Sequence, residues 1–143
     1  TVLNIMKMVM RDYQQPGYRL YDDVLPTLKV LKERGFKLGL VTNASNDQLA
    51  TLRDTGLETC LDLVANAEEA GADKPQPPIF RLALKKAEVS ASEVVHIGDQ
   101  YELDILGAQG VGITPILIDR YDLYPETKFR PRILTLKELP DYL

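Results

Sequence analysis

The chain has 143 residues, 45% of them hydrophobic and 27% charged, and a formal net charge of −4. That length fits one domain with a real core, and the composition is ordinary for a globular protein. The acidic balance leaves no basic footprint for nucleic acid, and no apolar run is long enough to span a membrane. The N-terminal stretch lacks the pattern of a secretory signal, so nothing marks export. Cys60 is the single cysteine. It allows no internal disulfide and no cysteine-based zinc cluster, which points to a cytoplasmic setting and a small buried apolar role.

Val2 to Tyr13 is mostly apolar, with Lys7, Arg11 and Asp12 interspersed and no Gly or Pro. A helix is expected, buried on more than one face, with a strand over Val2–Met10 as the alternative. Gln14-Gln15-Pro16-Gly17 breaks it. Asp23 reads as the N-cap of a helix carrying Val24, Leu28 and Leu31 inward and ending at Gly35. Phe36–Val41 is a strand. Ser45-Asn46-Asp47-Gln48 has capping-box spacing, so a helix starts there, faces Leu49 and Leu52 inward and stops at Gly56. Leu61–Ala65 is a second strand, followed by a polar stretch from Asn66 to Lys74. Three prolines then lead into a helix over Ile79–Glu88 with Phe80, Ala83, Leu84 and Ala87 inside. Val94–Gly98 is the third strand, Leu103–Gln109 a short helix ended by Gly110, and Ile113–Ile118 the fourth strand. The tail from Arg120 is loop-rich, with a last short helix near Leu136–Leu143. Strands alternating with helices predict an α/β fold with parallel pairing and helices on both faces.

In such a sheet, successive strand ends share one edge, and ligands bind there. The first strand delivers Thr42 and Asn43, the loop after the second delivers Lys74, and the third delivers Asp99 and Asp104. Two carboxylates without sulfur ligands suit Mg²⁺. A hydroxyl and an ammonium beside them suit a phosphoryl group, so the set points to phosphoryl chemistry. Each member also has a plainer reading. Thr42 fits a strand end, Asn43 forms turns, Lys74 is a solvated lysine, Asp99 ends a strand and Asp104 caps a helix. His96, between Val95 and Ile97, is expected as a packed core histidine rather than a general base.

Three ordered stretches carry a resemblance: Leu38-Gly39-Leu40-Val41-Thr42-Asn43, Ala72-Asp73-Lys74-Pro75 through Phe80, and His96-Ile97-Gly98-Asp99 with Asp104. They resemble the second, third and fourth motifs of the haloacid dehalogenase-like (HAD) superfamily, phosphatase type, and the likeness extends over about residues 20 to 143. It implies a Rossmann-like three-layer core with a mostly parallel sheet. It also implies that Thr42 binds the transferred phosphoryl group, that Lys74 holds the nucleophile and phosphate charge, and that Asp99 ligates Mg²⁺. Asp104 would support that site directly or from behind. Residues 1–19 would be the remnant of a helical cap and residues 20–143 the core.

The sequence departs from that family at one point. The family's nucleophile comes from an Asp-x-Asp motif at the end of a first core strand, and this chain contains no Asp-x-Asp. Asp22-Asp23 is adjacent rather than spaced. In the family, the first strand lies between the strands ending here at Thr42 and Gly98. Its absence would open a slot, with buried backbone groups losing partners at roughly 1–3 kcal/mol each against a net stability of roughly 5–15 kcal/mol. Truncation or omitted residues, a strand from a second chain, or insertion of the Val2–Met10 run would each answer this; the first is favoured. The expected function is a Mg²⁺-dependent phosphatase for a small phosphorylated metabolite, with its aspartate outside this sequence. A non-catalytic binding domain and a 2-haloacid dehalogenase are the rivals. The family's dehalogenases usually lack Gly-Asp at the fourth motif, so Gly98-Asp99 argues against the last.

Overall fold

A computed structural model describes residues 2–5, 9–11 and 18–143, with side chains from Arg19 onward, Asp54 excepted. Eight strands are present among them: β1 Val2–Ile5, β2 Val9–Arg11, β3 Tyr18–Leu20, β4 Lys37–Thr42, β5 Leu63–Asn66, β6 Val94–Gly98, β7 Thr114–Ile118 and β8 Arg132–Ile133. Six of them form a parallel sheet in the order β5-β4-β1-β6-β7-β8, and β2 pairs antiparallel with β3. The helices are α1 Val24–Glu33, α2 Asn46–Ala50, α3 Ala67–Ala70, α4 Pro77–Ala87 and α5 Gly107–Gly110.

The helix expected over Val2–Tyr13 does not form at the described residues; Val2–Ile5 and Val9–Arg11 are strands. Residues 6–8 and 12–13 of that expected helix, and the expected break at residues 14–17, lie outside the described residues. β1 sits between β4 and β6, with Leu3 opposite both Leu38 and Val95. The slot expected to stand empty is therefore filled by the chain's own Val2–Ile5. The reason is non-local. An interior slot offers unpaired N–H and C=O groups on both sides, and an apolar β-tolerant run satisfies them.

Side chains alternate across the sheet, as strand geometry requires. Leu38 and Leu40 of β4 and Ile97 of β6 pack with Leu28, Leu31 and Leu139 on one face. Val41 and Val94 pack with Phe80, Ala83 and Ile113 on the other. Burial on both faces accounts for the nearly continuous apolar run of β4. Cys60 is partly buried against the first cluster, close to its expected apolar role.

Local signals set most element ends. Ser45 Oγ accepts from Gln48 N at 3.2 Å and Gln48 Oε1 accepts from Ser45 N at 2.8 Å, so the expected capping box forms. α2 then ends at Ala50, and a 3₁₀ turn, Arg53–Thr55, carries the chain to Gly56. Gly35 and Gly56 have φ of +86° and +81°, the left-handed region that glycine enters without a Cβ penalty. The expected helix over Leu103–Gln109 is instead a π-helical turn, Tyr101–Leu106, followed by α5.

Asp23 also departs from the role expected of it. It stands at the N-cap of α1 but its side chain makes no cap bond. Its carboxylate accepts from Arg120 at 2.8 and 3.0 Å, from Thr135 Oγ1 at 2.7 Å and from Leu136 N at 2.8 Å. The tail is thereby strapped to the start of α1. Asp119 straps it a second time, accepting from Leu123 N, Tyr124 N and Arg132. β8 lies in this tail, beyond the strands the sequence pattern indicated. Among the described residues no helix is long and apolar enough to cross a membrane.

Candidate active site

β4 and β6 are both parallel to β1, so their carboxyl ends emerge on the same edge. β5 ends beside β4, with Asn66 opposite Thr42. Thr42, Asn43, Gly98 and Asp99 therefore share one rim, and the loop after β5 returns Lys74 to it.

Asn43 makes that return specific. Its Oδ1 accepts from Lys74 N at 2.7 Å, and its Nδ2 donates to Lys74 O at 3.4 Å. The side chain clamps the backbone of Lys74 from both sides, which goes beyond turn formation. Lys74 itself is 3% exposed, so the solvated reading of this lysine is wrong. Its Nζ donates to Asp104 Oδ1 at 2.6 Å. Thr42 Oγ1 accepts from Ala44 N at 3.1 Å; a hydroxyl that accepts can still donate its hydrogen.

Asp104 is the hub. Its Oδ1 also meets His96 Nε2 at 3.1 Å, and its Oδ2 accepts from Gln100 N at 3.1 Å. The side chain lies directly over Gly98. A Cβ built on Gly98 would stand 2.5 Å from Asp104 Oδ2 and collide with the carbons beside it. Glycine at 98 is thus a packing requirement of this carboxylate. Burial alone would raise the Asp104 carboxyl, but bonds from His96 and Lys74 outweigh it and hold the group below the usual carboxylate range. Burial lowers His96, and the nearby Lys74 ammonium adds to that, against the pull of Asp104. The imidazole is therefore neutral. We assign its hydrogen to Nε2, donating to Asp104, because Nδ1 is buried without a partner and an unpaired N–H there would be costlier. The Phe80 ring meets His96 edge-on at 5.3 Å, and the expected core histidine is found, though tied into the site from behind.

Asp99 is half-buried at the end of β6. It lines a cavity of about 90 Å³ with Tyr21, Arg120 and Tyr121. Arg120 stacks on the Tyr21 ring at 4.1 Å, and the Tyr21 and Tyr121 hydroxyls are 2.6 Å apart. Burial and this hydroxyl contact push the Tyr21 phenol up to about 12. Sequence reading missed Tyr21, Asp23 and Arg120 as a group. No local signal links positions 97 residues apart.

Among the described residues, no group of three or more His, Cys, Asp or Glu side chains is arranged to hold a metal ion. Mg²⁺ does not require one. It is commonly bound through one or two carboxylates, with substrate oxygens and water completing its shell. Asp99, a hard oxygen donor at the rim, fits that role. Both oxygens of Asp104 already accept hydrogen bonds from the protein, which suits support from behind more than direct ligation.

The family model for haloacid dehalogenase-like hydrolases matches residues 9–112. The chain is 37% identical over 120 residues to a ribulose-1,5-bisphosphate 5-phosphatase of Halopiger xanaduensis, covering 83% of this chain and 50% of that protein. The crystal structure of a HAD phosphatase from Thermococcus onnurineus is similar with a TM-score of 0.81 at 35% identity, over 86% of this chain and 57% of that one. A 2-haloacid dehalogenase from Pseudomonas syringae gives 0.76 at 34% identity, over 87% and 53%. The chain spans about half the length of the curated relatives it matches. With three motif stretches converging on one rim of a parallel sheet, and a family match over most of the sequence, the chain belongs to the haloacid dehalogenase-like hydrolases.

Proposed function

We propose that these residues form the phosphoryl- and Mg²⁺-binding half of a phosphatase acting on a small phosphorylated metabolite. The attacking aspartate is supplied from outside this sequence, on a strand that would take the place of Val2–Ile5 between β4 and β6. The observation that carries this reading is the buried Lys74 ammonium, paired with Asp104 and clamped by Asn43 at the rim where Asp99 emerges.

Thr42 donates its hydroxyl hydrogen to a phosphoryl oxygen. Lys74 offsets phosphoryl charge, and Asp104 keeps it ionised and in place. Asp99 holds Mg²⁺, which when bound neutralises phosphate charge and orients the ester. A carboxylate oxygen of the external aspartate attacks phosphorus, and the P–O bond to the alcohol breaks. The departing alkoxide takes a proton from an acid also outside this sequence. Water then hydrolyses the aspartyl phosphate, releasing phosphate and restoring the carboxylate.

For the 143-residue polypeptide by itself, a non-catalytic binding domain is the better reading. Residues 1–11 contain no Asp or Glu, so the sequence directly after β1 offers no carboxylate to serve as the family's nucleophile. The dehalogenase reading is weakened by Gly98-Asp99, since that chemistry needs no metal carboxylate.

The first check is whether the gene encodes Asp-x-Asp upstream of Thr1. The longer protein should release phosphate from a generic phosphomonoester only with Mg²⁺, and lose this in Asp99→Asn. Full activity in EDTA would refute the phosphatase, and halide release from a 2-haloacid would replace it. Turnover by the 143-residue chain that survives Thr42→Ala and Lys74→Ala would show that the chemistry lies elsewhere.

A further inference from the structure

We infer that a pocket under α2, on the sheet face away from Phe80, binds a small ring-sized apolar molecule without negative charge, and that its occupancy is felt at Thr42 and Asn43. This goes beyond the phosphoryl reading above and does not depend on it.

The spacing predicts one helix from Ser45 to Gly56, with Leu49 and Leu52 covering the sheet. Instead α2 ends at Ala50, and two 3₁₀ turns, Arg53–Thr55 and Leu57–Cys60, lead toward the edge strand β5. These short turns leave a pocket of about 220 Å³, walled by Leu40, Leu49, Leu52, Leu57, Leu61 and Val64. It reaches the sheet itself. Leu40, inside β4, keeps 6% exposure, whereas Leu38 and Val41 of the same strand have none. Two larger clefts, about 910 Å³ along Asn43, Ser45 and Gln76 and about 470 Å³ along Tyr101 and Tyr124, open on the rim and belong to the site already described. The pocket under α2 shares no lining residue with either.

The walls set the ligand. An apolar cavity of about 150 Å³ holds benzene, and unfilled walls forgo contacts that a ligand restores. A carboxylate taken among these side chains would lose its water without gaining a partner. The mouth adds to this. Asn46, Glu58 and Glu69 are its exposed members, Glu69 pairs with Lys86 at 2.6 Å, and no Lys or Arg lines the pocket. A second copy of this chain is disfavoured as the occupant, because a net charge of −4 would be brought against that acidic mouth.

The roof of the pocket and the strand-end rim are one continuous segment. Asn46 opens α2 and is latched to β5, its Oδ1 accepting from Asn66 Nδ2 at 2.6 Å. Asn66 lies opposite Thr42 across the β4–β5 pair. Between Thr42 and Asn46, Ala44 N donates to Thr42 Oγ1 and Ser45 caps α2. A ligand that fills the space beneath Leu49 holds α2 and this latch in place, so residues 42–46 open less often.

The test uses the 143-residue chain and NMR of its Leu and Val methyl groups. The probes are toluene, benzylamine and benzoate, one ring carrying no charge, a positive charge and a negative charge. Toluene and benzylamine should shift Leu49, Leu57 and Val64 saturably, and benzoate should bind about tenfold or more weaker. Nuclear Overhauser contacts from the ring protons to the Leu49 and Leu57 methyls locate the ligand without any variant. Leu61→Phe and Val64→Phe each place a ring in the pocket and should abolish the shifts at Leu49 and Leu57 while the amides of β6 and β7 stay in position. With toluene bound, exchange of the Ala44 and Gln48 amide hydrogens should slow about fivefold or more, the low end of ordinary coupling. No saturable shift with toluene or benzylamine, ring contacts only to other methyls, benzoate binding as tightly as toluene, or binding that survives in a folded Phe variant overturns the pocket. Unchanged exchange at Ala44 and Gln48 overturns the link to the rim. Methyl shifts that grow with protein concentration in the absence of ligand would give the pocket to a second copy and overturn the assignment.

Discussion

Lys74 Nζ donates to Asp104 Oδ1 at 2.6 Å, and both side chains are almost fully out of solvent. Removing one member of such a pair leaves the other as an uncompensated buried charge. Lys74→Met should therefore lower unfolding free energy by about 3–5 kcal/mol in urea titrations. Adding Asp104→Asn should restore part of that loss, because the stranded charge is gone. A double variant no better than the sum of the singles would mean that the two residues do not act as a pair.

Gly98→Ala places a methyl group where the Asp104 side chain lies. The cost should reach or exceed the roughly 1–3 kcal/mol typical of overpacking, since neither backbone nor carboxylate has room to move. In an Asp104→Ala background the same substitution should cost distinctly less. Thermal midpoints of the four proteins measure this directly.

His96 is the only histidine, so its titration can be assigned without ambiguity. Its folded-state pKa is lowered, mainly by burial. The unfolded chain, with a value of about 6.5, therefore takes up the proton first. Stability should fall as pH drops below about 6.5 and continue falling toward the folded pKa. Asp104 is also lowered, so its contribution is complete above the ordinary aspartate range and is lost only at lower pH, as pH falls toward its folded value. Denaturation midpoints across pH 4–8 should show the histidine step, and His96→Gln should flatten it.

Asp23→Ala removes the anchor shared by Arg120, Thr135 and Leu136. With the Arg120 guanidinium left largely buried, a loss of about 3 kcal/mol is expected. Hydrogen exchange should speed up across residues 119–136 more than in β4 or β6. Uniform acceleration over the whole chain would mean that the strap has no local role.

Where bonding partners are close in sequence, the sequence alone set the outcome. Ser45 and Gln48 are three residues apart and their reciprocal cap forms as spaced. Gly35 follows the end of α1, and Gly56 ends the 3₁₀ turn beyond α2, because only glycine takes the required φ cheaply. Val94–Gly98 alternates between the two packed faces and is a strand with the expected bounds. The convergence of Thr42, Lys74 and Asp99 on one rim followed from counting parallel strands. What distant groups contribute had to wait for the tertiary structure. Val2–Ile5 is helix-compatible by propensity, yet it is a strand because β4 and β6 present unpaired backbone groups on both sides. Asp23 sits at a helix start, yet its carboxylate goes to Arg120, a charged donor that outcompetes the cap. Asp104 reads as a helix cap or metal ligand, and becomes the buried anion joining Lys74 to His96 only once β6 and the loop after β5 are side by side. Local hydrogen-bond rules can be read from spacing; a choice between competing partners depends on which of them the fold brings within 3 Å.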